Sequence, residues 1–197
     1  MNRDYQIIYI GGPSSSGKTS LARALQEKLP IPYLHIGIDA LISMMPDRLN
    51  DWTGGVASEG FSWLADTDSE GHPIQTLRVG PYAGMVCNSL HAIVLCLLQE
   101  GHHLILDDIP LSPADFLKWK ETLKGWSSLY VGVTAPLDVL EHRESTRGDR
   151  MVGSARAQYH ASRMDFGYDL VLDSSLLTLS DQLALIASIQ PEGGQTN

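Results

Sequence analysis

Gly12-Pro13-Ser14-Ser15-Ser16-Gly17-Lys18-Thr19 is the stretch whose reading decides the fold. It fills every fixed position of the Walker A pattern, Gly-x-x-x-x-Gly-Lys-[Ser/Thr]. Gln6 to Ile10, just before it, is an apolar run that ends at Gly11-Gly12. Just after it, Leu21, Leu25 and Leu29 recur at helical spacing until Pro30. A strand that enters a loop and a helix that leaves it are the context this pattern demands. Glycine and serine leave room for successive backbone N–H groups to turn inward on a phosphate, and the positive end of a helix beginning near Gly17 points the same way. Lys18 would reach the β- and γ-phosphates, and the Thr19 hydroxyl would ligate Mg²⁺. The alternative is a glycine-rich turn that caps a helix.

Outward from the loop the chain alternates strand and helix. Tyr33 to Ile38 reads as a strand and about Ala40 to Met45 as a short helix. Helical periodicity returns from Tyr82 to Leu97 and ends at Gly101. His103 to Leu106 reads as the next strand, and Ser112-Pro113-Ala114-Asp115 opens a helix with a serine cap, a proline and an early acid. Leu129 to Thr134 and Leu170 to Leu172 complete the strands. Leu137 to about Glu144 and Asp181 to Ile189 complete the helices. Continuous apolar strands alternating with helices imply an α/β fold, a five-stranded parallel sheet covered on both faces. The expectation is one domain over residues 1–190 with a tail from Pro191 to Asn197. Asp47 to Val79 breaks the rhythm. Phe61–Leu64 and Ile74–Val79 can pair as a hairpin across Asp68-Ser69-Glu70-Gly71, a candidate substrate flap.

The 197 residues carry 14 Lys and Arg against 23 Asp and Glu, a formal net charge of -9. That surplus disfavours nucleic acid and anionic lipid as partners, so a bound anion needs a local cluster of donors. Two cysteines, Cys87 and Cys96, offer no disulfide framework. No signal-peptide core precedes the first strand, and the longest apolar run, Ala92 to Leu98, is too short to cross a bilayer. The expectation is a soluble cytoplasmic protein without membrane or nucleic-acid partners; homo-oligomerisation is compatible with the sequence but not fixed by it.

Three features bear on the fate of the terminal phosphate. Leu104-Ile105-Leu106-Asp107-Asp108 is an apolar strand ending in acids, and Asp107 is favoured as the acid that holds Mg²⁺. Asp39 follows the second strand, where a carboxylate can orient and deprotonate an attacking hydroxyl; its alternative role is the N-cap of the next helix. Arg143, Arg147 and Arg150 form a cluster that could close as a lid over 143–153 and neutralise phosphoryl oxygens, or else lie on a solvated helix face. Arg156 and Arg163 read as surface or packing residues. With no Asn-Lys-x-Asp stretch and no Asp-x-x-Gly after the third strand, a GTPase switch is disfavoured.

Gly11 to Met45, with His35-Ile36-Gly37-Ile38-Asp39-Ala40-Leu41-Ile42, resembles the chloramphenicol phosphotransferase family. So do Leu106-Asp107-Asp108, Val131-Gly132-Val133 and Glu144-Ser145-Thr146-Arg147-Gly148-Asp149-Arg150. The resemblance covers nearly the whole chain in order. It implies a nucleotide-kinase-like fold and ATP-dependent transfer to the primary hydroxyl of the antibiotic's side chain. The family's catalytic aspartate falls on Asp39 and its lid arginines within Arg143, Arg147 and Arg150. The departure from the family pattern lies between Asp47 and Val79, the span expected to line the acceptor pocket.

Other patterns are decoys. Asp66-Thr67-Asp68-Ser69-Glu70-Gly71 imitates a calcium loop, but the twelfth position is Leu77, so a polar turn is expected. His102-His103 lacks further ligands at zinc spacing. Trp52, Phe61 and Trp63 either stack on an aromatic substrate or pack under the flap. The reading is therefore a kinase that uses MgATP and a small-molecule hydroxyl acceptor, with Lys18 and the arginines stabilising the transferred group. Its rivals are a P-loop kinase for a sugar, nucleoside or sugar nucleotide, and an ATP-binding regulatory module without transfer activity.

Overall fold

The computed structural model describes residues 5–147, 151–162 and 166–189. In chain order the elements are β1 (Ile7–Gly11), α1 (Lys18–Lys28), β2 (Tyr33–Gly37), α2 (Ile38–Ile42), β3 (Phe61–Thr67), β4 (Pro73–Val79) and α3 (Pro81–Gln99). They continue as β5 (His103–Asp108), α4 (Pro113–Thr122), β6 (Ser128–Thr134), α5 (Leu137–Arg147), α6 (Ser154–Ser162), β7 (Leu170–Asp173) and α7 (Leu179–Ser188).

β1 is apolar toward both faces and all its residues are buried, so it takes the centre of the sheet. The order is β2-β5-β1-β6-β7, with all four pairings parallel. Successive side chains of each strand serve opposite layers. Ile7, Tyr9, Leu104 and Leu106 pack with Leu90, Val94 and Leu98 of α3 and with Phe116 and Trp119 of α4. Ile8, Ile10, Ile105 and Val131 pack with Leu21 and Leu25 of α1 and Ile186 of α7. Each fully buried aliphatic side chain contributes about 1.5–3 kcal/mol, so these two layers carry the fold.

β3 and β4 form the expected hairpin, longer than its apolar residues alone reveal. The pairing runs from Phe61 opposite Val79 to Thr67 opposite Pro73. The outer half of β3 is exposed, which is why its sequence carries no apolar signal. Gly71 takes φ 86 in the turn, the left-handed conformation that glycine accepts without strain. At the base, Phe61, Met45 and Ala83 make a third apolar cluster. Trp52 lies 6.0 Å from Phe61 in a stacked arrangement and 6.2 Å from Trp63 edge-on, so these aromatics pack on one another.

Several boundaries differ from the sequence expectation, and those at β2 and α5 move candidate site residues. β2 stops at Gly37 and α2 starts at Ile38, so Asp39 is inside the helix and Gly37 is its N-cap. A Cβ at residue 37 would lie 2.5 Å from the Asp107 carbonyl oxygen, so only glycine allows β2 and β5 this close before the chain turns. α5 extends to Arg147 rather than Glu144, which places Arg143 and Arg147 on a helix and not on a loop. α6 was not expected; its apolar side is short, Ala155 and Tyr159 packing on Leu140 of α5. Arg150 and Arg163 lie outside the described residues, as does the expected tail. α3, with 19 residues and a mean hydropathy of 1.5, is long and apolar enough by composition to cross a bilayer. In this fold its Leu90, Val94 and Leu98 are core residues.

On α3, the His91 ring stacks on Trp119 at 3.7 Å, with Nδ1 2.9 Å from the Thr122 hydroxyl. Burial, and then the Lys118 ammonium, push its pKa from 6.5 down to about 4. The depressed value means the neutral ring stabilises the fold fully above about 6.5. That contribution drains away as pH falls toward about 4, because the unfolded chain takes the proton first. Thermal melts between these limits should show the wild type losing stability faster than His91→Phe. Parallel curves for the two proteins would rule the assignment out.

Candidate functional site

The anion cradle begins where β1 ends. Gly12 adopts φ 149, and a Cβ there would lie 2.1 Å from the Val133 carbonyl oxygen of β6. Ser15, with φ 63, holds a left-handed conformation unusual for a residue with a side chain, a strain typical of ligand-binding loops. α1 then starts with no side-chain cap at Gly17 and no acid in its first turn. Its N–H groups and positive dipole end are left for another acceptor. The Ser15 and Ser16 hydroxyls are buried with no hydrogen-bond partner among the described residues. Lys18 Nζ donates to the Pro13 carbonyl at 2.9 Å, so its ammonium is folded over the start of the loop. Gathered backbone donors, two orphaned hydroxyls and a buried ammonium fit a polyphosphate.

The metal-binding expectation also fits. The Thr19 hydroxyl donates to Asp107 Oδ2 at 2.7 Å, and His35 Nε2 lies 3.5 Å from the same oxygen. Burial opposes ionisation of Asp107, but the His35 ring, the Lys18 ammonium and the Thr19 hydroxyl outweigh it and hold the carboxyl below the usual range. A hydroxyl and an ionised carboxylate side by side at the phosphate loop suit Mg²⁺, which prefers oxygen ligands. Asp108, one residue on, serves the opposite face. Tyr9 donates to its Oδ2 at 2.7 Å, and burial pushes its carboxyl up. The pleat thus separates two acids that look equivalent in sequence.

Asp39 is exposed, two residues beyond Gly37. Gly37 pairs in register with Asp107, which pairs with Ile10, the last residue but one of β1. Asp39 and the cradle therefore share one edge of the sheet, at strands separated by roughly 10 Å. As the second residue of α2, Asp39 is not its N-cap.

The arginines divide. Arg143 donates to the Ser15 carbonyl at 3.3 Å and to the Ser174 hydroxyl and carbonyl at 2.8 and 3.1 Å. It ties the cradle to the turn after β7. Arg147 lines, with Arg143, Gly17, Ser20, Leu177 and Thr178, a groove of about 680 Å³ beside the cradle. On the other side of Gly12 and Pro13 lies a second cavity of about 450 Å³, walled by Tyr159, Phe166 and Tyr168.

Two residues that sequence reasoning missed hold α6 in place. Glu144, 1% exposed, accepts from Gly153 N at 2.8 Å, Ser154 Oγ at 2.6 Å and Ala155 N at 2.7 Å, capping α6 from α5. Arg156, expected to be a surface or packing residue, pairs with Glu141 at 2.7 Å and with Asp68 in the hairpin turn at 3.2 Å. His160 lies 3.5 Å from the same Asp68, and Gln75 N donates to the Gly153 carbonyl at 3.2 Å. Asp68 is held well below the usual carboxylate range, chiefly by the His72 backbone N–H, with Arg156 and the Glu70 N–H adding to it against desolvation. The calcium-loop imitation is therefore a turn latched to α6. No local motif announces either residue: Glu144 bonds across a turn to the start of α6, and Arg156 reaches Asp68, 88 residues away.

A phosphate loop opening a helix, with an acid on the adjacent strand at the loop threonine, defines a P-loop kinase fold. A sugar kinase from Janibacter superposes with a TM-score of 0.62 at 16% identity, over 93% of this chain and 92% of that one. Shikimate kinase from Acinetobacter baumannii superposes with a TM-score of 0.51 at 16% identity, over 93% and 95%. In sequence, a protein of Mycobacterium tuberculosis named "Putative O-phosphotransferase" in two strains is 29% identical over 170 residues, 86% of this chain and 75% of its own. Residues 5–190 match the family described as "Chloramphenicol phosphotransferase-like protein", and the chain belongs to that family.

Proposed function

We propose that this protein transfers the γ-phosphoryl group of MgATP to a hydroxyl of a small molecule, with the 3-hydroxyl of chloramphenicol as the first acceptor to test. The observation that carries the reading is the shared sheet edge. It sets a phosphate cradle, the Asp107–Thr19 pair and the exposed Asp39 at the ends of three adjacent strands. In this reading the triphosphate lies along 12–19, with Lys18 at its outer phosphates and the nucleoside in the groove beside Arg147. Mg²⁺, held by Thr19 and Asp107, would neutralise charge on the phosphates. Asp39 accepts the proton of the acceptor hydroxyl as its oxygen bonds to the γ-phosphorus. The bond from that phosphorus to the bridging oxygen breaks, and ADP leaves. Arg143 contributes by fixing Ser15, and Arg147 by its charge beside the groove; positioning and electrostatics supply most of the rate. ATP as donor agrees with action in the cytoplasm.

The test is transfer from γ-labelled ATP to a panel of chloramphenicol, sugars, nucleosides and sugar nucleotides. Labelled chloramphenicol is the expected product. Label on a sugar or nucleoside instead would keep the kinase and replace the acceptor. No labelled product with any acceptor, together with tight ATP binding, would leave a regulatory module.

A further inference from the structure

α6 reaches into the anion cradle. Gln158 of α6, 8% exposed, accepts a hydrogen bond from the Ser14 backbone N–H through its side-chain oxygen at 2.6 Å. That N–H is one of the loop donors that turn inward on phosphate. An acceptor at this distance stands where a phosphate oxygen would stand, because both answer the same donor at the same separation. Lys18 shows which phosphate is concerned. Its Nζ sits on the carbonyl of Pro13, the residue before Ser14, and a Walker lysine serves the β- and γ-phosphates. The α1 N-terminus and the groove beyond it lie at the other end of the loop. Ser14 N–H therefore belongs to the terminal-phosphate end.

The contact is not a stray side chain on a loose loop. Glu144 fixes the first turn of α6 through three hydrogen bonds, and Arg156 ties the same helix to α5 and the hairpin. Both anchors hold the backbone that carries Gln158.

We propose that Gln158 competes with the terminal phosphate for the Ser14 N–H and so sets the balance between triphosphate and diphosphate binding. The proposal rests on the nucleotide reading of the cradle. A triphosphate must displace the amide oxygen. A diphosphate ends short of Ser14 and leaves it in place. Removing the competitor should strengthen triphosphate binding about 3–10-fold, the worth of one net hydrogen bond, with little effect on diphosphate.

Titration calorimetry with Mg²⁺, using ADP and the β,γ-imido analogue of ATP, tests this. Gln158→Ala, and Gln158→Asn as a shorter amide that cannot reach, should bind the analogue about 3–10-fold tighter and ADP within about 2-fold of wild type. Gln158→Glu places a carboxylate against the Ser14 N–H and should weaken the analogue about 10-fold more than ADP. A purely structural role would move both nucleotides together. An unchanged analogue-to-ADP ratio across the variants overturns the proposal, as does weaker analogue binding by Gln158→Ala. Lys18→Ala should weaken both nucleotides and so locates binding at the cradle. Failure of the wild type to bind either nucleotide would instead overturn the nucleotide reading itself, and this proposal with it.

Discussion

Asp39→Asn should lower turnover by about 10²–10⁴-fold while nucleotide affinity changes little. The substitution keeps the size and the hydrogen-bonding capacity of the side chain and removes its ability to take a proton. The residue stands two strands from the cradle, so the phosphates lose no direct donor with it. A loss confined to kcat, with the Kd for ADP unchanged, identifies an acceptor-side role. Residual turnover within a few-fold of wild type would remove Asp39 from the chemistry. The regulatory-module alternative would stand if ATP binding and biological effect survived the substitution.

Glu144→Ala should be among the most destabilising single substitutions in α5 and α6. It strips the acceptor from Gly153 N, Ser154 Oγ and Ala155 N, with Ser154 and Ala155 at 2% and 0% exposed. Buried donors left unpaired cost about 1–3 kcal/mol each in the worst case, and relaxation of the short α6 absorbs part of that, so about 3 kcal/mol is expected overall. For a chain of this length that lowers the Tm by roughly 6–12 °C. Glu141→Ala, which removes the partly exposed partner of Arg156, serves as comparison and should cost about 1 kcal/mol or less. Equal melting of Glu144→Ala and wild type would show that α6 is held by other contacts.

The phosphate loop and the sheet were legible because their signals are local. Gly12 and Gly17 mark backbone that needs glycine, and the runs at 7–10, 104–106 and 129–133 are apolar on both faces. The acidic pair after β5 was only half legible. Asp107 was favoured for the metal, but the separate fate of Asp108 depends on strand pleat and on Tyr9, far away in the chain. The end of β2 was misjudged by one residue because Ile38 is as good a strand residue as a helix residue. What stops the strand is the close approach of Gly37 to Asp107. The segment from α5 to α6 stood out in the sequence by its charge and not by its structure. Its anchor Glu144 looks like one more surface acid, and Gln158 belongs to no motif, since its partner is 144 residues away.

The alternation at the end of β5 has a consequence for how this molecule tolerates change. Asp107 and Asp108 are the same amino acid, and only parity along the strand assigns one to the loop threonine and the other to a tyrosine. Deleting a single residue upstream within β5 would preserve every functional group in the neighbourhood yet exchange their orientations. Insertions and deletions in this strand should therefore be far more damaging than conservative replacements, and homologous chains should differ in length elsewhere.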